Sequence, residues 1–385
     1  MSDERRESVV AAATDLVSRA SENPPGEEEV VADWLVNRLE DSPVPFTVES
    51  ETVAPGRPNV MARTGNPEQG RVLLTGHTDV VPANADDWTT DPYEPTVRNG
   101  RLYGRGTADM KGAIAAMIVA TERYFDRTDA PGQVILGFVV DEEHGGAGMQ
   151  AFGDGRIEAD AAIVGEPTDL DVCTAIKGVA RYEVAVQGEN CHSGQPDQGR
   201  DAIRGLRELI ARVEALDDEL ESTSHPVLAH EDITVTEVAG GLAPNIVADR
   251  ATATIDWRFL PGETEPVPFD DRMHEALADL TVDGEILSVD LKRTVFARPG
   301  ETDSDHWIVT NTLDAAREQD TNAQVVGFNA ATDARFLLHD AEIPTVHFGP
   351  GSLTDDAHTV DESVAVADLV AATEVYEDVL FRTIG

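Results

Sequence analysis

The sequence predicts an α/β fold with a mostly parallel sheet, interrupted by a smaller α+β domain. Apolar strands alternate with amphipathic helices up to residue 177 and again after residue 293, a pattern typical of parallel βαβ layers. Between them, residues 178–293 follow the order β-α-β-β-α-β of a ferredoxin-like unit. We therefore predict a discontinuous first domain, 1–177 and 294–385, and an inserted domain, 178–293. A chain of 385 residues is long enough for two cores.

Each element of the first domain has its own local pattern. Its helices show apolar residues at helical spacing and are predicted over 4–20, 26–40, 111–125 and about 361–382. Its strands are short apolar runs followed by turn or acidic residues, and the runs are "NVMART", "GRVLLTGHT", "QVILGFVVDEE" and "ADAAIVGEPT".

In the inserted domain, apolar and polar residues alternate along the predicted strands. Residues 179–188, "VARYEVAVQG", alternate as a half-buried strand. The two strands "DITVTEV" and "ADRATATIDWRF" are joined by the Gly- and Pro-rich "AGGLAPN". Helices at 199–216 and about 266–280, with a strand at about 284–294, complete the predicted unit.

The charge of the chain is its most unusual bulk property. Seventy-three acidic residues against 29 basic ones give a net charge of −44, and only three residues are lysine. A hydrophobic content of 41% argues against disorder, so the acids are predicted to form a solvated surface. Such a surface suits high salt, where charges are screened within about 3 Å at 1 M. The sequence thus predicts a halophilic protein, and the lack of a basic patch disfavours nucleic-acid binding.

The expected compartment is a reducing cytoplasm. Two cysteines, Cys173 and Cys191, are too few for a disulfide framework. No run of about 20 apolar residues is present, so no membrane partner is expected. The charged beginning "MSDERRESVV" lacks the apolar core of a signal peptide.

Acids and histidines cluster where the strands of the first domain end. Ligands of open α/β sheets bind at the carboxyl ends of the strands, so these residues are candidates for a shared site. Each has an ordinary alternative: Asp109 could cap the following helix, and Glu166 could lie at the surface. Two imidazoles with several carboxylates nevertheless suit zinc or a similar transition metal, and the set is His77, Asp79, Asp109, Glu142, Glu143, Glu166 and His358.

These residues lie in motifs that resemble the M20 metallopeptidases, the group of acetylornithine deacetylase, succinyl-diaminopimelate desuccinylase, aminoacylase and carboxypeptidase G. The resemblance spans nearly the whole chain in order. The motifs are "GHTDVVP", "GRGTADMKGAIAAM", "DEEHGG", "VGEPT", "HSGQP", "TDARF" and "AHTVDE". It implies a zinc-peptidase-like catalytic domain with an inserted dimerisation and lid domain.

The resemblance implies a site for two Zn²⁺, with Co²⁺ or Mn²⁺ as substitutes. His77 and Glu166 would bind one ion, Glu143 and His358 the other, and Asp109 would bridge both. The peptide between Asp109 and Met110 is then a candidate cis bond.

Two further carboxylates receive roles by the same resemblance. Asp79 would orient His77 from behind, a usual partner for a metal-bound imidazole. Glu142 would take the proton of a zinc-activated water and pass it to the leaving amine. Adjacent carboxylates of a strand point in opposite directions, so residues 142–143 are predicted to lie in a turn, which Gly145 and Gly146 permit.

The remaining site residues are also assigned by resemblance. His192 would stabilise the oxyanion in the active site of a homodimer partner. The substrate would be contacted by residues on both domains, namely Asn245, Arg258, Arg335, Gly349 and Gly351. An arginine suits bidentate binding of a carboxylate, although surface ion pairing is the ordinary role of both arginines.

The favoured function is hydrolysis of the amide bond of an N-acyl amino acid, of the deacetylase or desuccinylase type. A dipeptidase or carboxypeptidase of the same family is one alternative. A non-catalytic binding protein that keeps the fold is another, and the presence of every ligand and the base disfavours it.

Overall fold

A computed structural model of the chain describes residues 2–129, 131–153, 155–319 and 321–385. Its helices are α1 (Ser2–Val17), α2 (Glu29–Glu40), α3 (Lys111–Arg127), α4 (Ala147–Gly153), α5 (Ala202–Leu220), α6 (Val267–Leu277), α7 (Trp307–Glu318), α8 (Ala334–His339) and α9 (Val366–Ile384). No helix among these residues combines the length and apolar character that crossing a membrane requires.

The eight predicted strands are present in the predicted order, with shifts at their ends, and the other strands were not predicted. The strands are β1 (Thr47–Ala54), β2 (Arg57–Thr64), β3 (Asn66–His77), β4 (Thr96–Arg98), β5 (Arg101–Tyr103), β6 (Gly132–Val139), β7 (Ala161–Val164), β8 (Val172–Ile176), β9 (Gly178–Gln187), β10 (Asp232–Gly240), β11 (Arg250–Phe259), β12 (Thr281–Val282), β13 (Glu285–Ile286), β14 (Ser288–Ala297), β15 (Gly300–Glu301), β16 (Val325–Phe328), β17 (Thr345–His347) and β18 (Ser363–Ala365).

The chain divides into two compact units. The first comprises Met1–Thr174, Glu301–Val326 and Thr332–Gly385, and the second comprises Ala175–Gly300 and Gly327–Ala331. The second unit is therefore longer at both ends than the predicted insertion of 178–293, and it includes a short later segment that the sequence pattern did not reveal.

A mostly parallel sheet forms the centre of the first unit, as predicted. Its order is β1-β2-β6-β3-β7-β17-β8, and β6, β3, β7 and β17 are parallel neighbours. Their side chains are buried on both faces, for example Val72 and Leu74 on one face and Leu73 on the other, which explains their continuous apolar runs. Helices α1, α3, α7 and α9 supply the buried residues packed against the sheet.

Strand β6 ends earlier than its sequence predicts. The apolar run and the acids after it were expected to form one strand to residue 143, but the strand stops at Val139. Asp141 adopts a left-handed φ of 72°, which a strand does not accommodate. Residues 142–143 consequently lie in a turn, and the expected turn is confirmed.

The second unit has the predicted ferredoxin-like order. Its four strands form an antiparallel sheet of order β10-β11-β9-β14, with α5 and α6 packed on one face. Alternate residues of β9 and β11, such as Tyr182, Val184 and Trp257, are buried in that core, as the period of two in the sequence predicts. Asp201 caps α5 by accepting hydrogen bonds from the backbone N–H groups of Ile203 and Arg204.

Candidate active site

The register of the parallel strands brings the polar strand ends to one edge of the sheet. His77, the last residue of β3, lies opposite Val139 at the end of β6. On the other side, Thr75 lies opposite Val164, the last residue of β7. The segments that follow β6 and β7 therefore lie beside His77. These segments carry the acid pair 142–143 and Glu166.

Asp109 is the carboxylate on which both histidines converge. Its Oδ1 lies 2.9 Å from His77 Nε2, and its Oδ2 lies 3.1 Å from His358 Nε2. The same His358 nitrogen lies 3.2 Å from Glu143 Oε2. His77, Asp109 and Glu143 offer ligand atoms that all lie within 4.8 Å of one another, so one ion could contact all three.

The ring of His77 is oriented for binding through Nε2. Its Nδ1 lies 2.9 Å from the backbone oxygen of Asp79, so Nδ1 carries the proton and donates it. Nε2 donates to Asp109 Oδ1 at 2.9 Å, and it is the nitrogen that a metal ion would bind in place of that proton, with Nδ1 held from behind.

The Asp79 carboxylate holds the turn that bears the acid pair. Its two oxygens accept hydrogen bonds from the backbone N–H groups of Glu142 and Glu143, each at 3.2 Å. Its Oδ1 lies farther from His77 Nδ1, at 3.6 Å. Asp79 thus contacts the imidazole through its main chain and the acid pair through its side chain.

Asp109 does not cap the helix that follows it. The residue before α3 is Met110, which makes no side-chain capping hydrogen bond, and the Asp109 carboxylate is engaged by the histidines instead. The Asp109–Met110 peptide bond is cis, as the resemblance leads one to expect.

The charges of the site fit a bound divalent cation. Burial and the nearby negative charge of Asp109 raise the pKa of Glu166 to about 8, and burial with the charges of Asp333 and Glu166 raises the pKa of Glu142 well above its usual range. A cation bound between these carboxylates would relieve that repulsion. Imidazole and carboxylate donors suit zinc and its transition-metal neighbours.

A buried network behind the acid pair was missed in the sequence. The side-chain N–H of Asn23 donates to Asp79 Oδ2 at 2.8 Å and to Asp141 Oδ1 at 3.1 Å. Arg57 donates to the same Asp141 oxygen at 2.8 Å and to Glu28 at 3.0 Å. The signal available in the sequence was weak, because Asn23 lies in "NPPG" and Arg57 begins β2 directly after a turn, where polar residues are ordinary.

Two more buried acids of the first unit were missed. Asp333 is 2% exposed, and neither of its oxygens has a hydrogen-bond partner among the residues that the structure describes, although the Arg335 guanidinium lies 3.7 Å away. Glu362, in "AHTVDE", is 1% exposed. Both lie in motifs that the resemblance covers, but no apolar periodicity marks them as buried.

The three candidate substrate-binding residues of the first unit differ in burial. Arg335 is partly buried and donates to the backbone oxygens of Thr332 and Gly145. Gly349 and Gly351 are buried. A Cβ at Gly349 would lie 2.5 Å from the Glu166 carbonyl oxygen, so this glycine is required for the backbone to pass Glu166.

The second unit brings together two of its three candidates. The Ser193 N–H donates to the Asn245 carbonyl oxygen at 3.0 Å, so the "HSG" and "APN" loops adjoin, and both His192 and Asn245 are exposed. Arg258 lies near one end of β11, where it pairs with Val179 of β9. Arg250, eight residues earlier, pairs with Gln187 at the end of the sheet near the His192 loop. At roughly 3.3 Å per residue, these ends of the sheet are about 26 Å apart.

Comparison with known proteins identifies the family of the chain. The model of peptidase family M20/M25/M40 matches residues 73–382. Acetylornithine deacetylase of Proteus mirabilis is 32% identical over 372 residues, 94% of this chain and 92% of that protein. The Vibrio cholerae acetylornithine deacetylase is 33% identical over 351 residues, 88% of this chain and 87% of that protein.

Solved structures share the fold. An M20 family metallo-carboxypeptidase from Sulfolobus solfataricus superposes with a TM-score of 0.78 at 20% identity, covering 97% of this chain and 98% of its own. A dinuclear metal-binding peptidase of the M20 family from Bacillus subtilis superposes with a TM-score of 0.73 at 17% identity, covering 99% of each chain. The resemblance inferred from the motifs is confirmed, and the chain belongs to peptidase family M20/M25/M40 and is a metal-dependent amidohydrolase.

Proposed function

We propose that the protein removes the acyl group from an N-acyl amino acid. The observation that carries this choice is the identity of about 32% to acetylornithine deacetylases over some nine-tenths of the chain. The solved peptidases are 20% identical or less, and at that level they support the fold alone. The substrate is therefore taken from the more similar relatives.

The residues that would hold the metals are His77 and Glu166 for one ion, Glu143 and His358 for the other, and Asp109 between them. The contacts of Asp109 with both imidazoles support this division. We expect two Zn²⁺ per chain, with Co²⁺ or Mn²⁺ as possible substitutes. Bound there, the ions would supply a water of lowered pKa and a Lewis acid for the amide carbonyl.

Glu142 is the proposed proton carrier. It takes a proton from the attacking water and delivers it to the nitrogen of the leaving amine. Its position follows from the turn, because the backbone of residues 142–143 is held by Asp79. The Gly145 and Gly146 N–H groups close the same turn on the Asp141 carbonyl oxygen, at 2.9 and 2.5 Å.

Recognition of the substrate carboxylate is assigned to arginine. Arg335 and Arg258 are the candidates, with Asn245, Gly349 and Gly351 as further contacts. Arg258 is fixed by Asp256, whose carboxylate accepts from Arg258 Nε at 2.5 Å and from Arg181 Nη2 at 2.6 Å. A guanidinium held in this way keeps free N–H groups for a second carboxylate.

His192 is proposed to donate a hydrogen bond to the oxyanion in the active site of a partner subunit. The Gly194 N–H donates to His192 Nδ1 at 3.0 Å, so Nε2 carries the proton and is a donor. The chain enters and leaves the second unit at the Arg258 end of the sheet, where β9 begins and β14 ends. His192 follows β9 near the other end of this sheet, on a loop that is exposed in this unit.

Strand β10 is a candidate contact surface for the proposed homodimer. This strand is at the edge of its sheet, and Val238 and, just beyond it, Leu242 are 60% and 82% exposed. An exposed edge with apolar side chains pairs readily with another chain. We also propose that the dimer works in a cytoplasm of high salt, in keeping with its net charge of −44 and its two free thiols.

A substrate screen tests the proposal. The protein, purified in high salt and loaded with Zn²⁺ or Co²⁺, is assayed against N-acetylornithine, N-succinyl-diaminopimelate, other N-acyl amino acids and dipeptides. We expect N-acyl amino acids to be hydrolysed and dipeptides not. Preferential cleavage of dipeptides would replace the proposal with a peptidase, and binding without cleavage would indicate a non-catalytic protein.

A chelator completes the screen. Removal of metal should abolish activity, and re-addition of Zn²⁺ or Co²⁺ should restore it. Full activity of a protein shown to be metal-free would contradict the assignment of the five ligands.

A further inference from the structure

Glu362 lies directly behind Asp109 and is buried there. Its Oε1 accepts hydrogen bonds from the backbone N–H groups of Ala108 and Asp109, at 2.9 and 3.2 Å. Ala108 and Asp109 are buried and lie just before Met110, the residue that precedes α3, so their N–H groups need a partner within the protein. One carboxylate oxygen therefore fixes the two peptides from which the Asp109 side chain projects.

The other oxygen of Glu362 is held by arginine. Arg105 Nη1 donates to Oε2 at 2.6 Å, and both side chains are buried. The Arg105 guanidinium lies over the Trp88 ring, 5.1 Å from its centroid, within the range of a cation–π contact. Glu362 thus has a single position, set by an ion pair on one side and two backbone donors on the other.

Glu362 also connects the segments that carry two of the proposed metal ligands. It lies four residues after His358, and its backbone oxygen accepts from the Gly104 N–H at 3.0 Å. The next residue, Ser363, begins β18, which pairs with β5. Glu362 consequently contributes, together with the β18–β5 pairing, to joining the segment of His358 to the segment of Asp109.

We propose that Glu362 is a positioning residue that sets the Asp109 carboxylate between His77 and His358, with Arg105 holding Glu362 in place. The inference rests on the proposed function in that Asp109 is taken as the ligand shared by two metals. A shared carboxylate must present both oxygens at once, so a small displacement of its backbone weakens both contacts. Residues behind metal ligands typically change metal affinity by roughly 10–100-fold when removed.

A purely structural ion pair is the competing account, and Glu377 provides the matched control. Glu377 is a similarly buried acid, 3% exposed, that accepts from Arg123 Nε at 2.8 Å. Arg123 lies fourteen residues beyond Asp109, near the other end of α3, or about 20 Å along a helix. Glu377→Gln should lower the stability of the chain without changing its Zn²⁺ affinity.

The experiment compares Glu362→Ala, Glu362→Gln and Glu377→Gln. Zn²⁺ affinity is measured by competition with a chromophoric chelator, and the Co²⁺ absorption spectrum reports the coordination. We expect Glu362→Ala to weaken Zn²⁺ binding by roughly 10–100-fold and to alter the Co²⁺ spectrum. Glu362→Gln keeps an acceptor for the two N–H groups, so its Zn²⁺ affinity should fall less than that of Glu362→Ala. If the alanine variant does not fold, the glutamine variant provides the test. Unchanged affinity and spectrum in both Glu362 variants would overturn the inference.

A measurement on metal-free protein separates this inference from the proposed function. With isotope-labelled histidine, the imidazole nitrogens of His77 and His358 report their contacts with Asp109. Glu362→Ala or Glu362→Gln should shift both signals, and Glu377→Gln neither. If the signals shift but the wild-type chain binds no metal, the positioning role stands and the proposed function fails. If wild-type binds metal and the signals do not shift, the positioning role fails alone.

Discussion

In the first unit the candidate metal ligands contact one another around the buried Asp109, whereas in the second unit His192 and Asn245 stand on exposed loops. Asp109 is 5% exposed and is contacted by two histidines. The described contact of the His192 ring is a backbone N–H of its own loop. The first arrangement suits residues that must hold an ion at fixed distances, and the second suits a donor that meets a group outside its own unit.

Removal of the proposed base is the sharpest test of the first region. Glu142→Gln should lower turnover by roughly 10²–10⁴-fold, since a placed general base contributes that much, and should leave the metal content unchanged. Steady-state kinetics with metal analysis measures both. The matched control is His144→Gln, an exposed position in the same turn, which should retain activity. Near-normal turnover of Glu142→Gln on a verified substrate would contradict the assignment of Glu142 as the general base.

The second region is tested by mixing chains. His192→Ala should lower turnover by roughly 10²–10³-fold, the usual cost of one oxyanion donor, without loss of metal. Mixed with an Asp109→Ala chain, it should recover roughly one quarter of wild-type activity if sites borrow His192 across a two-fold dimer. A chain carrying both substitutions, mixed with inactive Asp109→Ala, is the control and should recover nothing. Absence of recovery in verified heterodimers would restrict His192 to its own chain.

Burial distinguishes His347 of the first unit from His192 of the second, and this has a consequence for stability. His347 in the first unit is buried on β17 beside the Thr332 hydroxyl, at 2.7 Å, and burial lowers its pKa to about 4. Its unfolded pKa is about 6.5, so between these values the unfolded chain binds more protons. The stability contributed by neutral His347 is thus present above pH 6.5 and lost as the pH falls through 4, roughly 3 kcal/mol in all.

His347→Gln tests this linkage. Denaturant unfolding of the metal-free chain at fixed high salt should show a stability that falls less steeply from pH 6.5 to 4 than that of wild type. His192→Gln, on the exposed loop, is the control and should keep the wild-type slope. Equal slopes for wild type and His347→Gln would mean that the buried imidazole is not held neutral.

The sequence predicted most of the fold and the acidic strand ends, for identifiable reasons. Continuous apolar runs mark strands buried on both faces, and the parallel register then carries His77 and Glu166 to one edge of the sheet. The end of β6 was wrong by a few residues because apolar patterning does not register the left-handed backbone of Asp141. Asn23 and Glu362 could not be predicted, because their contacts join segments far apart in the chain and no local pattern records that separation.

The smallest effect we predict concerns the buried network behind the acid pair of the first unit. Asn23 donates one amide to both Asp79 and Asp141, at 2.8 and 3.1 Å, and so shields two carboxylates from each other. Asn23→Ala should weaken Zn²⁺ binding by about tenfold, the lower end of such effects, because Asp79 keeps its backbone donors at residues 142–143. Thr121→Val, which removes another buried donor within α3, is the control for lost stability. If Asn23→Ala binds Zn²⁺ as wild type does, the backbone donors alone position Asp79, and the difference between the two regions is confined to the residues that touch the ion.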